Sequence, residues 1–309
     1  MKILVTGGAG YVGTALVDAL AKMDSVQQIV IYDNLSRSNA NLFISESLPA
    51  DKIRFVRGDV LDTRKLAREL EGVDLIYHLA ARVSTPFADA DFHGLDQVNH
   101  WGTAELSYLL EKQPVGRVVY LSSTSVYGAN NENVGLDTIP QPRTAYGISK
   151  LRGEQMLDRL SATTPVHLVR CANVYGYNKS MRFDAVINRF MFEAHFSGRL
   201  TVHGSGKQTR AFVHIQSLVQ CLMAVGLEGA LPGVSNVVER GASVEQIAHE
   251  LVEVYPSVEL LYIQQDMRLR NLTVEPDPRL AALHVMDQRS LVEQLQEFRT
   301  KFAFEPVQT

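Results

Sequence analysis

Tyr146 and Lys150, in the stretch TAYGISK over residues 144–150, stand four positions apart. On a helix that spacing places a phenol and an ammonium on one face. The pair could be an ordinary surface contact, or it could move a proton. A phenol with a pKa near 10 is a poor base at neutral pH, and a nearby cation favours its ionised form. A second kind of chemistry is written near the amino terminus. Gly7, Gly10 and Gly13 recur every third residue in GGAGYVG, with Tyr11 and Val12 between them. An apolar strand pattern, KILVT, precedes this turn, and a helical pattern through Leu16, Val17 and Leu20 follows it. Strand, glycine turn and helix in that order form a phosphate cradle. The turn lets the backbone approach closely, and the helix terminus offers N–H groups and a favourable dipole. Asp33 closes the next strand pattern, IVIYD, twenty residues after Gly13. A carboxylate there accepts hydrogen bonds from ribose hydroxyls and repels a 2'-phosphate, which predicts NAD rather than NADP. Arg37 lies close enough in sequence to soften that preference without reversing it.

These groups need elements to hold them. IRFVRGD reads as a strand ending at Asp59, whose side chain could meet an adenine edge, and Leu66–Leu70 reads as a short helix. DLIYHLAA, residues 74–81, is a strand running into small residues that allow close approach of a flat ligand. Residues 96–112 read as a long helix capped by Asp96. Asn99, near its start, is either a polar anchor on the cofactor side or a structural tie. RVVYLSS, residues 117–123, and PVHLVR, residues 165–170, are further strands. Alternating strands and helices predict an α/β fold, a Rossmann-type doubly wound parallel sheet covered on both faces. Ligands then lie beyond the strands' carboxyl ends, where Gly7, Asp33, Ala80 and Ser123 fall. Helices are expected over 186–196, 243–254 and 290–302, and a strand over 258–263. The division expected is a dinucleotide-binding domain over 1–171 and a mainly substrate-binding domain over 172–309, with about 212–240 returning to the first.

Composition narrows the classes. The chain has 309 residues, 46% hydrophobic and 21% charged, with a net charge of -4. That length buries a large core. The lack of a basic excess argues against a nucleic-acid partner. Short, interrupted apolar runs argue against a membrane span, and MKILVT reads as a strand rather than a signal peptide. Cys171 and Cys221 are far apart in apolar surroundings, as expected of buried thiols in a reducing cytoplasm. The histidines and cysteines show no metal-ligand spacing.

GGAGYVG, Asp33, GDV at 58–60, HLAA at 78–81, SSTSVYG at 122–128 and YGISK at 146–150 together resemble the extended short-chain dehydrogenase/reductase family. Within it they resemble the nucleotide-sugar epimerase and dehydratase branch, most nearly its UDP-glucose 4-epimerase-type enzymes. The resemblance implies NAD as cofactor, a nucleotide-diphosphate sugar as substrate, and a homodimer paired through helices near 99–112 and 146–160. It implies a cofactor site of Gly7, Gly10, Tyr11, Val12, Gly13, Asp33, Asn34, Asp59, Val60, Leu79, Ala80, Ala81, Asn99, Tyr146 and Lys150. It makes Tyr146 the acid–base, Ser123 its hydrogen-bonding partner at the sugar oxygen, and Lys150 the support for the phenolate and the nicotinamide ribose. On the substrate side it implies Ser84, Thr124, Asn173, His203, Arg210 and Arg268, with Arg210 as the main diphosphate ligand.

The sequence also departs from that family. Ala211 follows Arg210 where an acidic residue is usual, and Gln216 and Ser217 replace an acidic pair. Thr124 and Ser125 stand where resembling dehydratases carry Asp and Glu, and resembling uronic-acid decarboxylases also carry Glu at the second position. A hydroxyl does not easily transfer those protons at neutral pH. The reading that remains is reversible C4 epimerisation through a transient 4-keto sugar. A 4-keto-sugar reductase needs the same triad and is the alternative. A cofactor-binding regulatory protein without turnover is a third reading, against which the intact Ser123, Tyr146 and Lys150 argue.

Overall fold

The computed structural model describes residues 1–44, 48–83, 91–129, 133–231, 233–264 and 271–307. Its strands are β1 (Lys2–Thr6), β2 (Gln28–Asp33), β3 (Ile53–Arg57), β4 (Leu75–His78), β5 (Arg117–Ser123), β6 (Asn133–Val134), β7 (Val166–Cys171), β8 (Asn173–Tyr175), β9 (Arg199–His203), β10 (Thr209–His214), β11 (Gly233–Val237), β12 (Arg240–Ser243), β13 (Glu259–Ile263) and β14 (Thr273–Val274). Seven of them form one sheet in the order β11-β7-β5-β4-β1-β2-β3. Each neighbouring pair in it is parallel. The winding direction reverses between β1 and β4, the switch point where such sheets open a crevice.

The central strands are apolar on both faces, as a covered parallel sheet requires. Ile3 and Val5 point to one side with Leu16, Val17 and Leu218, while Leu4, Val30, Ile76 and Val118 point to the other with Leu106 and Leu157. These side chains have 0% exposure, and each contributes about 1.5–3 kcal/mol by leaving water. The helices begin with α1 (Tyr11–Leu20), α2 (Thr63–Glu69), α3 (Phe92–Asp96), α4 (Gly102–Lys112) and α5 (Ala145–Asp158). The rest are α6 (Val186–Ser197), α7 (Ile215–Met223), α8 (Val244–Val254), α9 (Leu280–Leu283) and α10 (Leu291–Arg299). Strand β11 lies beside β7, so the chain re-enters the main sheet after building β9 and β10.

The carboxyl-terminal lobe has its own core, where Phe190, Leu200, Ile247, Leu251 and Leu295 meet. Ser243 and Ser290 close capping boxes with Gln246 and Glu293, fixing the starts of α8 and α10. The helix expected from Asp96 is different in detail. Its cap is Asp91, which accepts from the Gly94 amide, and a π-helical turn over Gln97–Trp101 joins α3 to α4. The Asp96 carboxylate instead pairs with Arg152 at 2.7 Å and lies 3.3 Å from His100. No helix among the described residues is long and apolar enough to cross a membrane.

Candidate active site

A cleft of about 1510 Å³ opens beyond the carboxyl ends of the central strands. Its floor begins at the glycine turn. Gly7 has a φ of +70°, and a Cβ there would lie 2.6 Å from the Ala80 backbone nitrogen. A Cβ on Gly13 would lie 2.3 Å from the Gly7 carbonyl oxygen. Only glycine permits this close joining of turn, helix and β4 end. Helix α1 starts on the turn with no side-chain cap and no acidic residue in its first turn. Its leading N–H groups and dipole therefore suit an anion.

Asp33 stands at the end of β2 with its orientation fixed. One carboxylate oxygen accepts from the Ala9 amide at 3.0 Å and the other from the Leu35 amide at 2.8 Å. Asn34 donates to Asp59 at 2.8 Å, and Asp59 also accepts from the Leu61 amide. Tyr11, Val12, Val60, Leu79, Ala80 and Ala81 all line the same cleft. Asn99 is not on its wall. It is completely buried, accepts from the Arg82 amide, and donates to the Arg82 carbonyl and Ser149 Oγ. Of the two roles open to it, this geometry is that of a tie between helix and loop. Three of its four hydrogen-bonding positions are taken by Arg82 and Ser149, and the side chain does not reach the cleft.

The reacting groups converge at the far end. Thr144 caps α5 by accepting from the Gly147 amide at 3.0 Å, which starts the helix one residue before Tyr146. Ser123 ends β5, where its Oγ donates to Ser125 Oγ and accepts from the Ser125 amide, both at 3.2 Å. Ser123 stands on the side of the Tyr146 hydroxyl and favours its ionised form. Lys150 is 1% exposed, with Nζ 4.2 Å from the centroid of the Tyr120 ring. Burial pushes its pKa down to about 8, while Cys171 and Glu154 act in the opposite direction. Burial and then Cys171 push the Tyr146 phenol well above its ordinary range, although part of the residue still meets solvent. The cation that most offsets this is Arg182, not Lys150 as the helical spacing had suggested. Burial thus favours the neutral form of both groups.

Asn173, at the start of β8, donates to the Ala211 carbonyl at 2.9 Å and faces the cleft. Thr124, His203 and Arg210 line it as well, and Arg210 also donates to the Thr209 carbonyl. Ser84, Arg268 and the neighbouring Arg270 lie outside the described residues. Several cleft residues escaped the sequence reading. Arg182 enters between the lobes and forms a two-pronged pair with Asp184, at 3.0 and 2.5 Å. Arg143, Arg189 and Gln208 are also on the wall. The signal for Arg182 was present in KSMRFD, a cation and a carboxylate two apart soon after a strand. Among the described residues, six arginines and three carboxylates line the cleft of a protein whose net charge is -4. The local field therefore attracts anions against the overall sign.

A dinucleotide fits this arrangement: a Cβ-free cradle lies at a helix terminus, and a braced carboxylate stands at the adjacent strand end. Comparison with known proteins agrees. The family model described as "NAD dependent epimerase/dehydratase family" matches residues 3–237. An uncharacterised UDP-glucose epimerase of Bacillus subtilis (strain 168) is 32% identical over 231 residues, covering 73% of this chain and 72% of the relative. A dTDP-D-glucose 4,6-dehydratase of Homo sapiens is 27% identical over 258 residues, covering 82% of this chain and 73% of the relative. The crystal structure of UDP-glucuronic acid 4-epimerase from Bacillus cereus, in complex with UDP-glucuronic acid and NAD, superposes with a TM-score of 0.86. That pair is 27% identical and covers 97% of this chain and 98% of the other. The relatives' names include both epimerases and dehydratases.

Proposed function

We propose that this chain, which belongs to the NAD dependent epimerase/dehydratase family, is an enzyme that epimerises a nucleotide-diphosphate hexose at C4. One observation carries the choice of reaction. Ser123, Tyr146 and Lys150 share one end of the cleft, while the two positions after Ser123 hold only the hydroxyls of Thr124 and Ser125. Dehydration needs an acid and a base across two further sugar carbons, and these hydroxyls are poor substitutes. Epimerisation needs one acid–base, a hydride store and space for a ketone to turn over.

Each residue then has a task. The glycine turn and α1 hold pyrophosphate, Asp33 holds the adenosine ribose, and Asp59 with Asn34 borders the adenine. NAD, when bound, supplies the hydride store and a positive ring. Lys150 holds the nicotinamide ribose, and Arg182 is the cation that favours the Tyr146 phenolate. Tyr146 takes the proton from O4 and returns it, while Ser123 orients that oxygen. A positioned acid–base of this kind contributes about 10²–10⁴-fold in rate. Asn173, His203 and Arg210 receive the nucleotide diphosphate from the other lobe, and Arg210 offers a fixed fork of donors. Residues 1–171 thus serve the dinucleotide and 172–309 mainly the sugar nucleotide, with the stretch around β11 belonging to the first unit.

The protein acts as a homodimer. Trp101 and Tyr108 are 51% and 42% exposed, about two helical turns apart. Arg152–Asp96 and Arg159–Glu111 pairs fix those turns to α5, making one surface from two helices. The two buried thiols suit a reducing cytoplasm. The reaction is tested by incubating the enzyme with NAD and either UDP-glucose or UDP-glucuronic acid, then resolving the sugars by proton NMR. The C4 epimer is expected to form without accumulation of NADH. A keto product with net NADH formation would count against it. Sedimentation at micromolar concentration tests the dimer.

A further inference from the structure

The catalytic reading gives no task to Glu154, yet this carboxylate is 3% exposed and joins three elements of the site. It lies one helical turn beyond Lys150 on α5. Its Oε1 accepts from Ser122 Oγ at 2.5 Å and from Arg170 Nε at 3.0 Å. Its Oε2 accepts from the Arg170 terminal nitrogen at 2.7 Å. Ser122 and Arg170 are partners in the β5–β7 register, and the next pair in that register is Ser123 with Cys171. Arg170 continues outward, donating to Tyr127 Oη at 2.9 Å. Tyr127 ends the short turn that begins at Thr124, and its hydroxyl donates to Asn236 at 2.8 Å. Ser122 and Arg170, the two groups touching Glu154, each precede a cleft residue in sequence, and Arg170 also holds the end of the turn that carries Thr124.

We propose that Glu154 is the positioning residue of the catalytic centre: it locks α5, β5 and β7 together beneath the cleft and supplies the negative charge that keeps Lys150 an ammonium. A buried ion pair is weak evidence for stability, because desolvation offsets the attraction, so its retention needs a geometric or electrical purpose. Here both are visible. The locked strands set Ser123 against Tyr146. The Lys150 ammonium lies over the Tyr120 ring from β5, and its charge interacts with Cys171 of β7, His78 of β4 and Glu154 of its own helix. Among these groups Glu154 is the carboxylate. The neutral imidazole of His78 and the protonated thiol of Cys171 carry no charge, so the negative charge near Lys150 is that of Glu154, which it shares with Arg170.

This rests on the reading of Ser123, Tyr146 and Lys150 as catalytic, and the test separates the two. Lysine 13Cε resonances are followed through a pH titration of the whole protein with NAD, and Lys150→Met identifies the Lys150 signal. In Glu154→Gln, Lys150 is expected to titrate about one pH unit or more lower. Glu154→Asp should restore that titration while leaving turnover reduced, because its reach is shorter. Ser122→Ala keeps the ion pair, so it should leave the Lys150 titration unchanged and lower kcat about tenfold or more, with UDP-glucose and UDP-glucuronic acid as probes. It also keeps the proposal open to test if Glu154→Gln does not fold. An unchanged Lys150 titration in Glu154→Gln, or wild-type kcat in Ser122→Ala, overturns the proposal. If the wild-type enzyme turns over neither probe, the C4 reading fails, and the titrations still judge Glu154.

Discussion

The hydroxyl of Tyr11 donates to the carbonyl of Gly176 at 2.5 Å, across 165 positions of chain. It fixes the helix of the phosphate turn to the loop that carries Arg182. Completely buried Asn188 completes the joint: it accepts from the Gly176 amide and donates to the Arg182 carbonyl, both at 3.0 Å. Thr14 donates to Ser180, and Lys179 pairs with Asp18, along the same seam. Tyr11 therefore links the two halves of the cleft besides lining it. Replacing Tyr11 with Phe keeps the ring and leaves the Gly176 carbonyl without that donor. The expected cost is about 1–3 kcal/mol in urea unfolding, with a larger rise in substrate KM than in NAD Kd.

Cofactor choice rests on Asp33. Its two backbone hydrogen bonds hold the carboxylate at the cleft edge where β2 ends. Calorimetric titration should show NAD binding more tightly than NADP. Asp33→Ala should shrink the ratio about tenfold or more, because both the hydrogen bonds and the repulsion are lost. Tighter binding of NADP to the wild-type chain would refute this.

Lys150 makes stability depend on pH in a defined direction. Its folded pKa of about 8 lies below the ordinary value of 10.5. Between those values the unfolded chain keeps a proton that the folded chain has released, so stability rises with pH through that window. Below about pH 8 the cost of burying the ammonium is fully present. Lys150→Met should therefore stabilise the fold at pH 7 by about 1–3 kcal/mol and flatten the rise. It should also weaken NAD binding and cut turnover. A variant less stable than wild type at pH 7 would contradict the assignment.

Thr124 and Ser125 should exclude dehydration. Mass spectrometry of reactions with UDP-glucose and dTDP-glucose should show no loss of water. Efficient formation of a 4-keto-6-deoxy sugar would show that another pair of groups performs the elimination.

Local patterns carried much of this into the sequence. The glycine turn, the strand ending at Asp33 and the Tyr146–Lys150 spacing are each contiguous, with a period set by backbone geometry. The α/β alternation followed from the same periodicities. Long-range partnership was hidden. Asp96 was expected as a cap, and only the folded chain shows Asp91 in that place and the Asp96 carboxylate held by Arg152. Asn99 could be assigned only once Arg82 and Ser149 were beside it. Arg182 reaches the cleft through a loop whose path depends on Tyr11 and Asn188. The phenol of Tyr146 also shows what spacing omits: a residue one turn away can share a helical face and still have its charge engaged elsewhere.

The proposed reaction is reversible hydride transfer at sugar C4 with Tyr146 as acid–base. Its most direct measurement uses UDP-glucose and UDP-glucuronic acid carrying deuterium at C4, incubated with the NAD-loaded enzyme and no added reductant. The C4 epimer of at least one probe is expected to keep the deuterium on C4. Tyr146→Phe should bind NAD nearly as well as wild type, yet turn over about 10²–10⁴-fold more slowly. Product that has lost the label to solvent, an alcohol formed only when NADH is supplied one for one, or near-normal turnover by Tyr146→Phe would contradict the account.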